Sequence, residues 1–308
     1  MKITALAGGI GASKLLLGLA HVNPSEDITI IANTGDDIEL FGLRICPDID
    51  TVTYTLAGAI NEETGWGLKG DTFECLHWLE RYDQASWFNL GDRDLSTHIF
   101  RTYALHLGRS LTEVTDHIRL SLGVRSTILP MSDAYTPTRV LTDESEMHFQ
   151  EYFVRRRCEP RVREIRFDQI ESAGPAPGVL SAILEAEAVI ICPSNPFISI
   201  GPILAVPGVR EAIVKTEAKV IAISPIIRGK ALKGPAADML RDFGHDVSAL
   251  GVARLYVNLI DVFILDEVDS VLARDISALG IKVFTANTLM NNLESKKGVA
   301  KFALENCR

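Results

Sequence analysis

Five cysteines in 308 residues, Cys46, Cys75, Cys158, Cys192 and Cys307, stand too far apart to form a C-x-x-C pair. Their odd number and scatter suggest neither a zinc knuckle nor a disulfide framework, and they suit a reducing cytoplasm. None of the seven histidines stands in an H-E-x-x-H pattern, and no G-x-S-x-G elbow occurs. Zinc hydrolysis and an activated serine therefore have no support. Cations are scarce, 31 Lys and Arg against 40 Asp and Glu, for a formal charge of -9. That balance argues against a nucleic-acid partner, whose phosphates need clustered cations. No apolar run reaches the length of a membrane span, and Met1-Lys2-Ile3 leads into a strand rather than a signal peptide. Neither a repeat nor a low-complexity tract is present.

What remains is an ordinary globular balance, 47% hydrophobic and 23% charged. The length suits one large α/β domain or two smaller ones. Two apolar runs, Ile3 to Leu6 and Ile28 to Ala32, each end in a glycine cluster. The clusters are Ala7-Gly8-Gly9-Ile10-Gly11-Ala12-Ser13-Lys14 and Asn33-Thr34-Gly35-Asp36-Asp37. Short β-branched runs opening into glycine loops read as buried parallel strands. In such a sheet the loops gather at the carboxyl ends, where ligands bind. Bare amides and a helix start would suit a phosphate. Lys14 stands where a dinucleotide fingerprint needs its third glycine, and Ala12 and Ser13 separate Gly11 from the lysine of a Walker loop. A tight turn that needs small residues only for packing is the competing reading.

The expected architecture is a Rossmann-like parallel sheet flanked by helices, a single domain over 1–308 with an α+β subdomain inserted at about 70–167. Within the insertion, helices are expected at Asp71–Arg81, Asp92–Leu107 and Ser110–Leu122. Strands follow at Thr127–Leu129, Arg139–Thr142, His148–Val154 and Val162–Phe167. The run Ser172-Ala173-Gly174-Pro175-Ala176-Pro177-Gly178 punctuates the chain. Strands at Val189–Cys192, Val220–Ser224, Val262–Leu265 and Lys282–Phe284 resume the sheet, and Met290–Leu304 closes it as a helix.

Asp48 and Asp50 follow Pro47 and would project to one side of an extended segment. With Asp36 and Asp37 they can supply oxygen ligands to magnesium. For Asp50 a helix cap at Thr51–Leu56 is an equal alternative. Asn89, Asp92 and Arg93 in Trp87-Phe88-Asn89-Leu90-Gly91-Asp92-Arg93-Asp94 offer an edge for a planar ligand, unless Asp92 only caps the helix after it. Ser194 and Asn195 suit a phosphate, sugar or base, or a structural cap. Arg228, Lys230 and Lys233 around two glycines look like a loop over a polyanion, or a solvated loop.

Taken together, the two glycine clusters, Gly42-Leu43-Arg44-Ile45-Cys46-Pro47-Asp48-Ile49-Asp50-Thr51, Tyr54-Thr55-Leu56-Ala57-Gly58, Asn89-Leu90-Gly91-Asp92-Arg93-Asp94 and Cys192-Pro193-Ser194-Asn195-Pro196 resemble the 2-phospho-L-lactate transferases of coenzyme F-420 biosynthesis. The resemblance runs nearly the full chain. It implies transfer of a 2-phospholactyl group from lactyl-2-diphospho-5'-guanosine to the ribityl hydroxyl of 7,8-didemethyl-8-hydroxy-5-deazariboflavin, releasing GMP, with magnesium and a homodimer. Some relatives use a phosphoenolpyruvyl or phosphoglyceryl donor. By resemblance Asp50 and Asn89 contact the deazaflavin, and Asp50 orients the hydroxyl or binds metal with Asp48. Gly9, Gly11, Ala12, Lys14, Ser194 and Asn195 are expected on the nucleotide side, with Arg228 and Lys233 added by local chemistry. The alternative on this fold is a nonenzymatic sugar-nucleotide-binding regulator.

Overall fold

The computed structural model describes residues 1–82 and 87–307. Its centre is a seven-stranded sheet whose neighbours all run parallel. In spatial order the strands are Lys282–Ala286, Val262–Asp266, Lys219–Ile223, Ala188–Ile191, Ile3–Ala7 (β1), Ile28–Ala32 (β2) and Thr127–Pro130. Helices cover both faces, so side chains on either side of a strand meet apolar partners. Leu6, Ile31 and Val189 belong to one core, and Ile3, Ala5 and Ile30 to the other. That two-sided burial explains why these strands read as continuous apolar runs rather than alternating ones.

From β1 the chain moves outward through β2 to Thr127–Pro130, then returns beside β1 and moves outward the other way. The reversal opens a crevice beyond the carboxyl ends of β1 and Ala188–Ile191. Backbones approach closely there: a Cβ on Gly11 would lie 2.2 Å from the Pro193 carbonyl oxygen. The helix Gly9–Val22 (α1) starts only two residues past β1. The expected glycine loop is therefore short, and Gly11, Ala12 and Lys14 are helical. Gly9 holds φ +70, which favours glycine.

After β2 come the hairpin Ile38–Leu40 (β3) and Leu43–Ile45 (β4), then the helix Pro47–Leu56 (α2). The expected helices appear as Glu74–Glu80 (α3), Asp94–His106 (α4) and Leu111–Ser121 (α5), the last with a Ser110–Glu113 capping box. The expected insertion at about 70–167 needs correction, because Thr127–Pro130 pairs in register with β2 as the edge of the main sheet. Only the antiparallel sheet of Thr138–Thr142, Glu146–His148 and Val162–Phe167 stands apart. The strand expected at His148–Val154 ends at His148, and Glu151–Arg155 forms a π-helical turn. The Gln150 amide donates to His148 Nδ1 at 3.0 Å, which bends the chain out of the strand. No helix among the described residues is long and apolar enough to cross a membrane.

Candidate active site

A cleft of about 490 Å³ fills the crevice at the switch point. Gly9, Gly11, Lys14, Asp36, Asp48, Asp50, Asn89, Ser194, Asn195 and Lys233 line it, so ten of the sequence candidates converge. Ala12, Asp37, Asp92, Arg93 and Arg228 do not.

α2 determines how the acids are divided. Pro47 opens this helix, which places Asp48 and Asp50 in its first turn rather than in an extended segment. Two residues on a helix turn through roughly 200°, so the two carboxylates face different neighbours. Asp48 Oδ1 accepts the Gly9 amide at 2.7 Å, and Oδ2 accepts Asn33 Nδ2 at 2.8 Å. The same nitrogen reaches Asp36 Oδ1 at 3.1 Å. Asp36 and Asp48 thus share one amide group. Asp50 is not a cap; it faces α4, where Arg101 Nη1 donates to Oδ2 at 3.1 Å and Nη2 to Oδ1.

The glycine segment is also less bare than expected. Its Gly9 amide is taken by Asp48, and the Gly8 carbonyl accepts the Ser194 hydroxyl at 2.7 Å. Asn195 Oδ1 accepts the Phe197 amide at 2.9 Å. The Ser194–Gly8 bond joins the two loops across the crevice, and the positive charge of the cleft comes from lysine. Lys14 borders the cleft on α1, and Lys233 reaches in from the loop after Arg228, where its Nζ donates to the Thr64 carbonyl at 3.1 Å. Burial, then Lys233 and Lys296, lower the Lys14 pKa.

Five buried carboxylates, those of Asp36, Asp37, Asp48, Asp50 and Asp94, meet two buried guanidiniums. Arg101 pairs with Asp50, and Arg44 Nε lies 3.4 Å from Asp37 Oδ2. Asp37 is fully buried beneath the floor, with the Cys46 thiol donating to it at 3.0 Å. It is therefore corrected from ligand to support. Asp94 accepts the Tyr54 hydroxyl at 2.6 Å and faces His98 Nε2 at 3.5 Å. Asp36 and Asp48 have only neutral partners among the described residues. Burial raises the Asp36 pKa, with the Asp48 charge adding to it. Burial also pushes Asp48 to about 6, against the pull of its bonds from Asn33 and Gly9. Two adjacent acids with no counter-charge fit a divalent cation. Ligand atoms of Asp50, Asp94 and His98 also lie within 4.8 Å of one another, but Asp50 in that group is already paired with the Arg101 guanidinium.

Asp92 serves helix ends. Its Oδ2 accepts the Glu74 amide and its Oδ1 the Cys75 amide, both at 2.9 Å, which caps α3, the helix before it. In return Asp71 accepts the Arg93 and Asp94 amides at 2.8 and 3.0 Å at the start of α4. A Cβ on Gly91 would lie 2.1 Å from Asp71 Oδ2, so this exchange requires glycine there. Arg93 is exposed, and its Nη1 lies 3.5 Å from the Lys69 carbonyl. Arg228 holds a left-handed φ of 51, and its amide is tied to Asp269 at 2.9 Å. Asn89 remains exposed on the cleft beside Phe88.

The sequence reading missed Arg101, His98, Gln150 and His148. The last two fasten the acidic loop: Gln150 Nε2 donates to the Asp36 carbonyl at 3.2 Å, and His148 Nε2 lies 3.0 Å from the Asp37 carbonyl. For the α4 residues a signal existed, because Asp94, His98 and Arg101 fall at i, i+4 and i+7 on one helix face.

The parallel sheet and its switch-point cleft define a Rossmann-like α/β protein. The sequence model of the 2-phospho-L-lactate transferase CofD family matches residues 3–291. The chain is 44% identical to a phosphoenolpyruvate transferase from Streptomyces griseus, over 99% of this chain and 98% of that protein. A 2-phospho-L-lactate transferase from Methanothermobacter thermautotrophicus is 42% identical, over 98% of this chain and 97% of its own length. The chain belongs to the CofD family of 2-phospho-L-lactate transferases. A UPF0052 family protein from Bacillus halodurans, solved at 2.60 Å resolution, shares the fold with a TM-score of 0.66 at 17% identity, over 98% of both chains.

Proposed function

We propose that this protein moves a 2-phospholactyl group from lactyl-2-diphospho-5'-guanosine to the terminal ribityl hydroxyl of 7,8-didemethyl-8-hydroxy-5-deazariboflavin. The hydroxyl oxygen bonds to the phosphorus that carries the lactyl group. The bridging P–O bond to GMP breaks, and GMP leaves. One observation carries this reading: a single cleft holds an unneutralised acid pair, Asp36 and Asp48, together with Lys14 and Lys233. Such a cleft suits a diphosphate accompanied by a divalent cation.

Asp36 and Asp48 are the residues that would hold magnesium, which when bound neutralises phosphate charge as the P–O bond breaks. Lys14 and Lys233, which line the same cleft, bind the phosphates. Asp50 accepts the hydrogen of the attacking hydroxyl, and Asn89 with Phe88 borders the deazaflavin. The protein acts in the cytoplasm as a homodimer, which light scattering checks. A second reading exchanges the lactyl group for enolpyruvyl. The Streptomyces griseus and Thermobifida fusca relatives, 44% and 42% identical, are named phosphoenolpyruvate transferases, which favours it.

The test supplies each guanosine donor with the deazaflavin and magnesium, and quantifies GMP and the mass of the product. The account expects GMP and phosphodiester in equal amounts with one of the two donors. Tight binding of a UDP-sugar, with no deazaflavin fluorescence change and no transfer, would move the protein to the sensor class.

A further inference from the structure

We infer that Asp94, His98 and Arg101 of α4 form a clamp that aims the Asp50 carboxylate at the attacking hydroxyl, with Arg101 as its positioning residue. The inference rests on the transfer reading proposed above. Arg101 is fully buried and does not line the cleft, whereas Asp50 does. Arg101 therefore acts on the reaction through the residues it holds, Asp50 and His98, both of which line the cleft.

Both terminal nitrogens of the guanidinium meet the two carboxylate oxygens, Nη1 with Oδ2 at 3.1 Å and Nη2 with Oδ1. A two-point fork fixes the plane of a carboxylate, which a single contact leaves free to rotate. Each oxygen keeps a further lone pair, enough to accept one hydroxyl from the cleft. The guanidinium is itself held, because Nη1 also reaches the Arg44 carbonyl at 3.4 Å.

His98 adds a second constraint. Arg101 Nη1 lies 3.3 Å from His98 Nδ1, and a guanidinium can only donate. In the tautomer in which Nδ1 shares the two Nη1 hydrogens with Asp50 and the Arg44 carbonyl, the ring proton sits on Nε2, facing Asp94 Oδ2 at 3.5 Å. Among the described residues Nε2 has no hydrogen-bond partner, and this carboxylate faces it. The other Asp94 oxygen takes the Tyr54 hydroxyl at 2.6 Å. Tyr54 lies one turn after Asp50 on α2, so the chain of contacts leaves α2, crosses α4 and returns. Neither Asp36 nor Asp48 takes part. The acids that fit a cation and the acid that meets the hydroxyl are held by separate networks.

The experiment compares Arg101→Lys with wild type in transfer assays that vary each substrate separately. Lysine keeps the charge and loses the fork. The expected result is a folded protein whose kcat falls by about a hundredfold, with KM for the guanosine donor within about twofold. A purely structural role would instead lower the melting temperature and leave kcat per folded molecule unchanged; a folded Arg101→Lys with wild-type kcat overturns the clamp. Should that variant not fold, His98→Asn, whose carbonyl can replace Nδ1 as the acceptor, is compared with His98→Leu. The clamp requires His98→Asn to retain more activity, and equal losses overturn it. Wild type that transfers nothing from either donor refutes the transfer reading itself, and the clamp with it.

Discussion

Asp48 reaches across the crevice to the amide of Gly9 at 2.7 Å, so a carboxylate of this chain occupies the position where a bound phosphate was expected. The glycines here bring two backbones and an acid together, and anion binding passes to the lysines. This pairing places Asp48 on the cleft floor beside Asp36, with no cation among the described residues paired to either.

Replacing Asp48 with Asn keeps an oxygen for Gly9 and removes the charge, but turns an NH2 group toward the Asn33 Nδ2 donor at every pH. In the metal-free protein, burial holds the Asp48 pKa at about 6, above its ordinary value of 3.8. A raised carboxyl pKa means that the folded state binds the proton more tightly than the unfolded state does. Stability from this group is therefore full below about pH 4 and declines as pH rises through 6. Asp48→Asn escapes the decline. The difference between its melting temperature and that of wild type should shift in the variant's favour from pH 4 to 6.5 and then stay constant, while transfer is lost.

Lys14 and Lys233 carry the positive side of the cleft. Lys14→Ala should raise KM for the guanosine donor about tenfold to a hundredfold, the range of one charged hydrogen bond. KM for the deazaflavin should change little. Initial-rate measurements that vary each substrate in turn check this.

Gly11→Ala tests the seam between the two loops. The new methyl would lie 2.2 Å from the Pro193 carbonyl oxygen, a backbone atom with little room to retreat. A loss of about 1–3 kcal/mol is expected from such overpacking, measured by chemical denaturation.

Asp92→Ala separates the sequence expectation from the structure. As a cap for α3, Asp92 supports a helix end and lies outside the cleft. The variant should melt at a lower temperature and keep its kcat and its KM for the deazaflavin. A selective rise in that KM would restore Asp92 as a ligand contact.

The sheet was legible because buried parallel strands leave an unmistakable apolar run, and the glycines after Ile3–Ala7 and Ile28–Ala32 marked their carboxyl ends. The main error in the fold was Thr127–Pro130, whose neighbours in sequence are α5 and a small antiparallel sheet. No local pattern records that it pairs with Ile28–Ala32 nearly a hundred residues earlier. In the site, residue types were legible and directions were not. An extended segment would put Asp48 and Asp50 on one side, whereas the helix that begins at Pro47 sends them to different partners. Arg101 lay hidden because helical spacing shows which residues share a face, but not that the face meets Asp50 across fifty residues of chain.

The most direct test of the central claim is a magnesium titration of transfer for wild type, Asp36→Asn and Asp50→Asn. The account predicts that Asp36→Asn needs at least about tenfold more magnesium for half-maximal rate, since a carboxylate ligand has been lost. Asp50→Asn should lose rate with its magnesium dependence unchanged. The account is contradicted if the Asp36→Asn curve superimposes on that of wild type while Asp50→Asn shifts.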